Sequence, residues 1–257
     1  MRTLALTVAY DGTEWAGFQR QTRYPSVQGA LEAALDEVLR HPVRLAAAGR
    51  TDAGAHALAQ VVSFTTVNPL PVERLPAATN RLLPASILVR RAAERPAGFH
   101  ARRSARSRRY WYVLQPTRWR DPLRGRFRWQ LPGPLDVSAM QAALGALLGR
   151  HDFATFCHGG ARGATIRTVQ RARIRQWRGT VIVDVQADAF LHQMMRLLVA
   201  NLVRVGRAER PAGWLAELLE ARNRHLAGQG APPCGLCLMR VGYSADAGPF
   251  GAGWGDD

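Results

Sequence analysis

The chain has 257 residues, with 35 basic against 19 acidic side chains and a formal net charge of +16 at pH 7. A hydrophobic content of 47% excludes an intrinsically disordered chain, and no apolar run approaches the roughly 20 residues that a transmembrane helix requires. The length fits one large domain or two small ones. Because the first residues predict a strand instead of a signal peptide, we expect a cytoplasmic protein with no membrane partner.

The distribution of charge indicates a polyanionic partner. Every basic residue is an arginine, which codon usage can explain, but codon usage does not explain the shortage of carboxylates. The resulting pI, near 11.4, is typical of nucleic-acid-binding proteins. Ten arginines and one acid, Asp121, lie between residues 102 and 128, interleaved with Tyr110, Trp111, Tyr112, Trp119, Phe127 and Trp129. Arginine binds phosphate and aromatic rings stack on bases, so this segment predicts RNA binding, with a solvated basic strand as the alternative.

Apolar spacing predicts the elements of two halves that resemble each other. The first half is predicted to contain strand 4–10, helix 27–38, strands 43–47 and 60–66, helix 72–82 and strand 87–92. The second is predicted to contain helix 138–148, strands 166–176 and 180–189, helices 191–205 and 214–221, and strand 236–243. This order predicts an α+β fold of two similar β-α-β-β-α-β-like subdomains. The predicted subdomains are residues 1–100 and 101–245, the second beginning with the arginine-rich segment, and residues 246–257 are expected to form a flexible tail.

The cysteines do not predict a metal site or a disulfide scaffold. Cys234 and Cys237 form a single C-x-x-C motif, to which Cys157 and His158 could add ligands for zinc. A second C-x-x-C motif or a spaced pair of histidines is missing, and apolar residues around the motif are typical of a strand. We therefore expect no bound metal.

The loop from Gly49 to His56 is the strongest candidate for chemistry. Its two glycines bracket Asp52 at the end of a predicted strand, where the backbone can turn sharply and present a carboxylate to a cleft. Arg50 could keep that carboxylate ionised or bind a phosphate. From the residues alone, a structural turn in which Asp52 caps its own backbone is the more common role.

This loop resembles the signature loop of the tRNA pseudouridine synthase A family. Other segments similar to the family follow in its order along nearly the whole chain. They are Tyr10-Asp11-Gly12, Gly17-Phe18-Gln19-Arg20-Gln21, Ser26-Val27-Gln28, Phe99-His100-Ala101-Arg102, Arg108-Arg109-Tyr110-Trp111-Tyr112, His151-Asp152-Phe153 and Ala189–Arg196. Departures are small: Ala55 stands where a valine is common, and Cys237-Leu238 where an aromatic-Leu pair is common. The joint agreement favours a catalytic role for Asp52 over the structural one.

The resemblance implies a fold, a reaction and a substrate. The implied fold has mostly antiparallel sheets flanking a central basic cleft. In the implied reaction the N1–C1′ bond of a uridine breaks, the base turns, and C5 is joined to C1′. The substrate is tRNA, with uridines 38, 39 and 40 of the anticodon stem-loop as the expected targets, and the enzyme is a homodimer. The isomerisation transfers no electrons and no phosphate, so neither a cofactor nor a metal is expected.

The resemblance also implies roles for single residues. Asp52 is the catalytic carboxylate, which attacks C1′, attacks C6 or removes a ribose proton. Tyr110 lies beside the flipped base. Alternation places Tyr110 and Tyr112 on the same face of a strand, so the alternative for Tyr110 is a position in the core. Leu238 packs under the uracil. The residues expected to bind substrate or RNA are Arg50, Arg196, Arg20, Arg102, Arg103, Arg106, Arg108 and Arg109.

Arg196 lies in a predicted helix that is apolar on most faces, where a guanidinium needs an anionic partner because an unpaired buried charge is unfavourable. The resemblance implies that this partner is Asp52. A guanidinium that reaches solvent or an RNA phosphate is the alternative.

Two other functions remain open at this point. A non-catalytic RNA-binding protein on the same fold would explain the charge but would leave the Asp52 loop without a role. A pseudouridine synthase of another specificity would modify uridines elsewhere in tRNA or in another RNA. Neither the composition nor the spacing of motifs shows which uridines the enzyme would modify.

Overall fold

The computed structural model describes residues 1–159 and 163–244. They form two compact units, Met1–Arg108 together with residues 238–244, and Arg109–Cys237. The boundary therefore lies inside a strand, after residue 108 instead of residue 100, and the last strand returns to the first unit. The predicted flexible tail, 246–257, lies outside the described residues. Within residues 1–159 and 163–244, no helix is long and apolar enough to cross a membrane.

The structure combines short helices with mostly antiparallel strands. In chain order the elements are β1 (Arg2–Tyr10), α1 (Val27–Leu39), β2 (Ala46–Ala47), β3 (His56–Thr66), α2 (Leu75–Asn80), β4 (Ile87–Arg95), β5 (Ala105–Pro116), β6 (Trp129–Leu131), α3 (Val137–Gly145), β7 (Gly149–Asp152), β8 (Ile166–Trp177), β9 (Thr180–Ala187), α4 (Met194–Gly206), α5 (Trp214–Ala221) and β10 (Leu236–Tyr243). The predicted α+β class is confirmed.

The first unit is built on a sheet with strand order β4-β1-β3-β10. β1 is antiparallel to both β3 and β4, and β2 adds a short antiparallel pair to β3. α1 begins where the Ser26 side chain accepts a hydrogen bond from the Gly29 N–H, which caps the helix as helix N-termini require. Val27, Leu31 and Leu35 recur at helical spacing and are fully buried, so α1 is held by its apolar face.

The second unit is built on strands in the order β5-β9-β8-β7. β8 is antiparallel to β7 and to β9, while β6 pairs in parallel with the end of β5. Helices α3, α4 and α5 pack against one another, and α3 also packs on β8. β5 lies in the arginine-rich segment, and Tyr110, Tyr112 and Leu114 are all buried, in agreement with the alternation that places the two tyrosines on one strand face.

Several predicted elements are shorter than expected, and the structure gives the reason for two of them. The helix predicted over 191–205 begins only at Met194, because Gln193 adopts a left-handed backbone conformation with φ +57°. The strand predicted over 43–47 is limited to Ala46–Ala47. There the N–H groups of Val43 and Leu45 donate to the carboxylates of Asp36 and Glu32 instead of to a neighbouring strand.

A buried ion pair joins two neighbouring strands of the second unit. Arg109 on β5 donates through Nε and one terminal nitrogen to the two carboxylate oxygens of Asp184 on β9, both at 2.8 Å. Asp184 is fully buried and Arg109 nearly so. Arg171 on β8 donates to the same carboxylate at 2.9 Å. The buried carboxylate is therefore hydrogen-bonded to two guanidinium groups, so its charge is not left unpaired in a low-dielectric interior.

We expect Asp184→Asn to lower the free energy of unfolding by about 3 kcal/mol, because it leaves the buried Arg109 charge without its counterion. Urea unfolding followed by circular dichroism measures this change. Glu209→Gln is the matched control: it removes an exposed carboxylate that lies 3.8 Å from Arg204 and Arg207, and the expected change is below about 1 kcal/mol. Equal effects of the two substitutions would contradict a structural role for the buried pair.

Candidate active site

Asp52 lies in the connection between β2 and β3. The side chains on either side alternate between the interior and solvent: Thr51 and Ala55 are buried, Asp52 is half-buried, and Arg50 and Ala53 are exposed. The Ala55 N–H donates to the Asp52 carbonyl at 3.1 Å and closes a tight turn. The carboxylate is thus held at the surface of the first unit by a loop whose flanking residues are anchored in the core.

The start of this loop is fixed by two side chains from β3 and β5. Gln60 is fully buried and donates to the Gly49 carbonyl at 2.8 Å. Arg108 donates to the Ala48 carbonyl from Nε at 3.2 Å and from a terminal nitrogen at 2.8 Å. These bonds satisfy carbonyl groups that the short strand β2 leaves outside the sheet.

A second loop, residues 11–18, binds the backbone of the Asp52 loop. The Phe18 N–H donates to the Thr51 carbonyl at 3.1 Å, and the Gly54 N–H donates to the Trp15 carbonyl at 3.3 Å. The Thr51 hydroxyl also lies 2.7 Å from the Tyr10 hydroxyl at the end of β1. Asp52 therefore lies between two backbone positions that are each hydrogen-bonded to the 11–18 loop.

Two glycines permit this close approach. A Cβ atom on Gly12 would lie 1.9 Å from the Ala55 carbonyl oxygen, which no side-chain movement could relieve. Gly17 has φ +98°, a conformation that other residues rarely adopt, and a Cβ there would lie 3.0 Å from the Thr51 carbonyl oxygen. Both glycines occur in the segments that resemble the family, but no local pattern indicates the close contact that each one permits.

His56 closes the Asp52 loop at the start of β3. It is buried, and the Gly12 N–H donates to its Nδ1 at 3.1 Å. The Asp11 Oδ1 atom also lies 3.2 Å from Nδ1, but this oxygen accepts hydrogen bonds from the Thr13 N–H and hydroxyl. The His56 Nδ1 atom therefore ties the start of β3 to two residues of the 11–18 loop.

Comparison with known proteins identifies the family. A family model described as tRNA pseudouridine synthase matches residues 6–102 and 143–244. The chain is 43% identical to the tRNA pseudouridine synthase A of Pelobacter propionicus over an alignment of 244 residues. This alignment covers 95% of this chain and 100% of the relative. The chain belongs to the tRNA pseudouridine synthase A family. It is also 43% identical over 249 residues to the protein of that name from Moorella thermoacetica, again with 95% and 100% of the two chains covered.

Family membership confirms the resemblance that the Asp52 loop indicated, whereas the roles of single residues stay predictions. The matched ranges contain Asp52 and Arg50, as well as Arg196 and Leu238, but not Tyr110. Arg196 belongs to the second unit, where its Nε donates to the Ala231 carbonyl at 2.7 Å, and it is only half-buried on α4. Its pairing with Asp52 therefore stays a prediction.

The structure distinguishes the surroundings of Tyr110 and Tyr112, which the alternation of the strand could not do. Tyr112 is fully buried, its hydroxyl donates to the Pro232 carbonyl at 2.6 Å, and burial raises its pKa far above the ordinary value. This residue is part of the core of the second unit. Tyr110 is 6% exposed and packs edge-on against Phe190, with ring centroids 4.8 Å apart. Tyr110 thus remains the tyrosine that the resemblance places beside the base.

Two of the predicted RNA-binding arginines are internal. Arg108 is buried and donates to the carbonyl groups of Ala48, Ala105 and Arg102. Arg109 is committed to the buried carboxylate of Asp184. Both guanidinium groups lie in the interior of their units, so the structure favours structural roles in place of the predicted RNA contacts. The number of arginines in the segment could not show this, because the two buried arginines are adjacent in the chain and have exposed arginines on both sides.

The other predicted arginines of this segment are exposed on a braced turn. Arg102 and Arg103 follow His100, whose Nδ1 atom accepts from both of their backbone N–H groups at 3.2 and 3.3 Å. Burial, together with the neighbouring Arg103 charge, lowers the pKa of His100, which keeps this acceptor unprotonated near neutral pH. Tyr243 donates to the Ala101 carbonyl at 2.8 Å and ties the turn to β10. Arg106 is exposed at the start of β5.

Arg20 is positioned by a buried carboxylate. Its guanidinium binds Glu32 at 3.0 Å, and Glu32 on α1 is almost fully buried. Glu32 also accepts from the Gln28 amide and the Leu45 N–H. Arg20 lines an open groove of about 370 Å³ with aromatic walls that include Trp15 and Tyr24. The sequence did not predict Glu32, since an acid at a buried helix position gives no signal until its partners are known.

The remaining candidates are Leu238, expected to contact the uracil, and the cysteines, considered as metal ligands. Leu238 is fully buried on β10, and its contact with the uracil stays a prediction.

In the described part of the chain, no group of three or more His, Cys, Asp or Glu side chains could hold a metal ion. Cys234 donates weakly to the Arg128 carbonyl at 3.5 Å, and burial raises the pKa of its thiol.

We expect Gly12→Ala to slow the conversion of uridine to pseudouridine in tRNA about a hundredfold. The added Cβ atom must displace the Ala55 carbonyl, and a displacement of about 1 Å at a reacting group is enough for such a loss. The measurements are single-turnover rates and urea unfolding, which should show a destabilisation of about 1–3 kcal/mol. Gly145→Ala, in helix α3 with nothing within 4 Å of the new Cβ, is the control and should retain the wild-type rate. Normal turnover in Gly12→Ala would show that the approach of the two loops does not position Asp52.

Proposed function

We propose that this chain converts uridines 38, 39 and 40 of the tRNA anticodon stem-loop to pseudouridine, with Asp52 as the catalytic carboxylate. Family membership makes the chain a tRNA pseudouridine synthase, an isomerase. The observation that supports the role of Asp52 is its position in the loop between β2 and β3, where Thr51 before it and Gly54 after it are both hydrogen-bonded to the 11–18 loop. A catalytic group needs this kind of preorganisation to meet the substrate in one orientation.

The reaction requires a carboxylate that reaches the nucleotide and a base removed from its stack. Enzymes that act on a base in structured RNA turn it out of the helix, and aromatic side chains then stabilise it. Asp52 is half-buried, so it can contact a nucleotide bound at the surface of the first unit. The C5 proton of uracil leaves to solvent when C5 is joined to C1′, which gives a direct assay through tritium at C5.

Recognition of the tRNA rests on exposed arginines on fixed turns. Arg20 is held by Glu32, and Arg102 and Arg103 extend from a turn that His100 braces. We assign these three residues, with Arg50 and Arg106, to contacts with phosphate groups. Fixing an arginine before binding reduces the side-chain entropy that binding must remove, so such contacts are stronger than those of a free side chain. Contacts of this kind read the shape of an RNA and not its base sequence.

We expect Asp52→Asn to lower the single-turnover rate by more than a hundredfold while tRNA affinity changes less than threefold. A hundredfold loss corresponds to about 2.7 kcal/mol of barrier height, and the amide keeps the shape of the carboxylate but not its charge. The assay follows tritium release from C5-labelled, unmodified tRNA, with circular dichroism as the control for folding. A rate within tenfold of wild type would remove Asp52 from the mechanism.

Transcripts that carry a single uridine in the anticodon stem-loop test the positions. Each transcript has its uridine at 38, 39 or 40, and a matched control transcript has uridines only elsewhere. We expect tritium release from the first three and none from the control. Release from the control alone would assign the enzyme to another specificity within the same reaction.

We also propose that the enzyme is a homodimer, as the resemblance to the family implies, and that it is cytoplasmic, as its N-terminal residues led us to expect. Sedimentation at micromolar concentration should give twice the 28.3 kDa mass of one chain. A two-fold assembly would let one tRNA contact arginines of both chains. A 28.3 kDa species with full activity would contradict this assembly.

A further inference from the structure

The loop between β5 and β6, residues 117–128, exposes apolar and basic side chains together. Trp119 is 73% exposed and Leu123 is 90% exposed, which is unusual for large apolar residues. Four arginines of the loop are exposed: Arg118, Arg120, Arg124 and Arg126. Asp121 is its single acidic residue, so the loop carries a strong excess of positive charge. The loop also lies outside both ranges that the family model matches.

The loop is braced although it contains no long regular element. Gln130 on β6 accepts from the Asp121 N–H at 3.1 Å and donates to the Asp121 carbonyl at 2.6 Å. The Asp121 carboxylate accepts from the N–H groups of Leu123 and Arg124, an arrangement typical of a turn that begins at aspartate. The Thr117 N–H donates to the Leu131 carbonyl at 2.8 Å and closes the base of the loop. Trp119 is therefore presented from a fixed backbone.

The chemistry of the loop favours one ligand. The guanidinium of Arg118 lies over the Trp119 ring, 5.1 Å from its centre, so a cationic group is held against the indole. An exposed indole beside several arginines matches an unpaired base with its flanking phosphates, because the base can stack while the phosphates are neutralised. A protein surface would bury Trp119 equally well but would have to supply several carboxylates to the arginines.

We propose that the 117–128 loop is a second RNA-binding site of this enzyme, in which Trp119 stacks on an unpaired base of the tRNA substrate and the exposed arginines bind the adjacent phosphates. The inference rests on the proposed function for the identity of the RNA. It assigns a binding role, and no catalytic role, to a loop that the family model does not include.

Binding is measured with unmodified tRNA in the Asp52→Asn chain, so that turnover does not change the ligand during the measurement. We expect Trp119→Leu to raise the dissociation constant about tenfold, while Trp119→Phe, which keeps an aromatic face, raises it less than threefold. The loss should also occur with a single-stranded oligonucleotide and should be absent with a blunt RNA duplex, whose bases are already stacked. Arg120→Gln should reduce the dependence of log affinity on log salt by about one unit.

Trp177 provides the matched control. It is 62% exposed at the turn between β8 and β9, and the Arg178 guanidinium lies 5.0 Å from the centre of its ring. Trp177→Leu should change tRNA affinity less than twofold. An equal loss in both variants would mean that any exposed tryptophan beside an arginine contributes, which would overturn a specific site at Trp119.

Three further outcomes separate this inference from the alternatives. If Trp119→Leu or Leu123→Ser changes the sedimentation mass and leaves tRNA affinity unchanged, the loop contacts another copy of the chain and the inference is wrong. If the wild-type chain releases no tritium from tRNA while Trp119→Leu still weakens RNA binding, the proposed function fails and the RNA-binding site stands. Equal affinities of Trp119→Leu and Trp119→Phe would exclude stacking.

Discussion

The packing of the 11–18 loop against the Asp52 loop is the constraint on which the candidate active site depends. Two backbones approach each other there more closely than any pair of residues with Cβ atoms would permit, and hydrogen bonds on both sides of Asp52 fix the result. The 11–18 loop connects β1 to the residues that precede α1, and the Asp52 loop leads into β3. The position of one carboxylate is thus determined by the core packing of three elements.

Arginine serves two opposite purposes in this chain. Arg109 pairs with a buried carboxylate and Arg108 caps internal carbonyl groups, whereas Arg20, Arg102 and Arg103 carry their charges at the surface. A guanidinium suits both purposes because its five donors lie in a fixed plane and it stays charged. The net charge of the chain therefore overstates the charge available to RNA, since part of it is neutralised inside.

Several exposed arginines are held by hydrogen bonds before any ligand binds, either through the side chain or through the backbone of the turn that carries them. Glu32 holds Arg20, His100 braces the turn of Arg102 and Arg103, and Gln130 braces the loop that carries Arg118 and Trp119. Each brace satisfies a polar group that would otherwise need water. An RNA-binding surface organised in this way suits a substrate recognised by its shape, because phosphates must then meet charges at fixed positions.

The sequence by itself determined the α+β class, most of the helices and strands, the family and the identity of the candidate catalytic aspartate. These follow from local periodicity and from motifs that are contiguous in the chain, such as Gly49–His56. Only the tertiary structure decided which arginines are internal, why Gly12 and Gly17 must be glycine, and that Tyr112 belongs to the core. The physical reason is that burial, hydrogen-bond partners and close backbone contacts join residues far apart in the chain, and no local pattern records them.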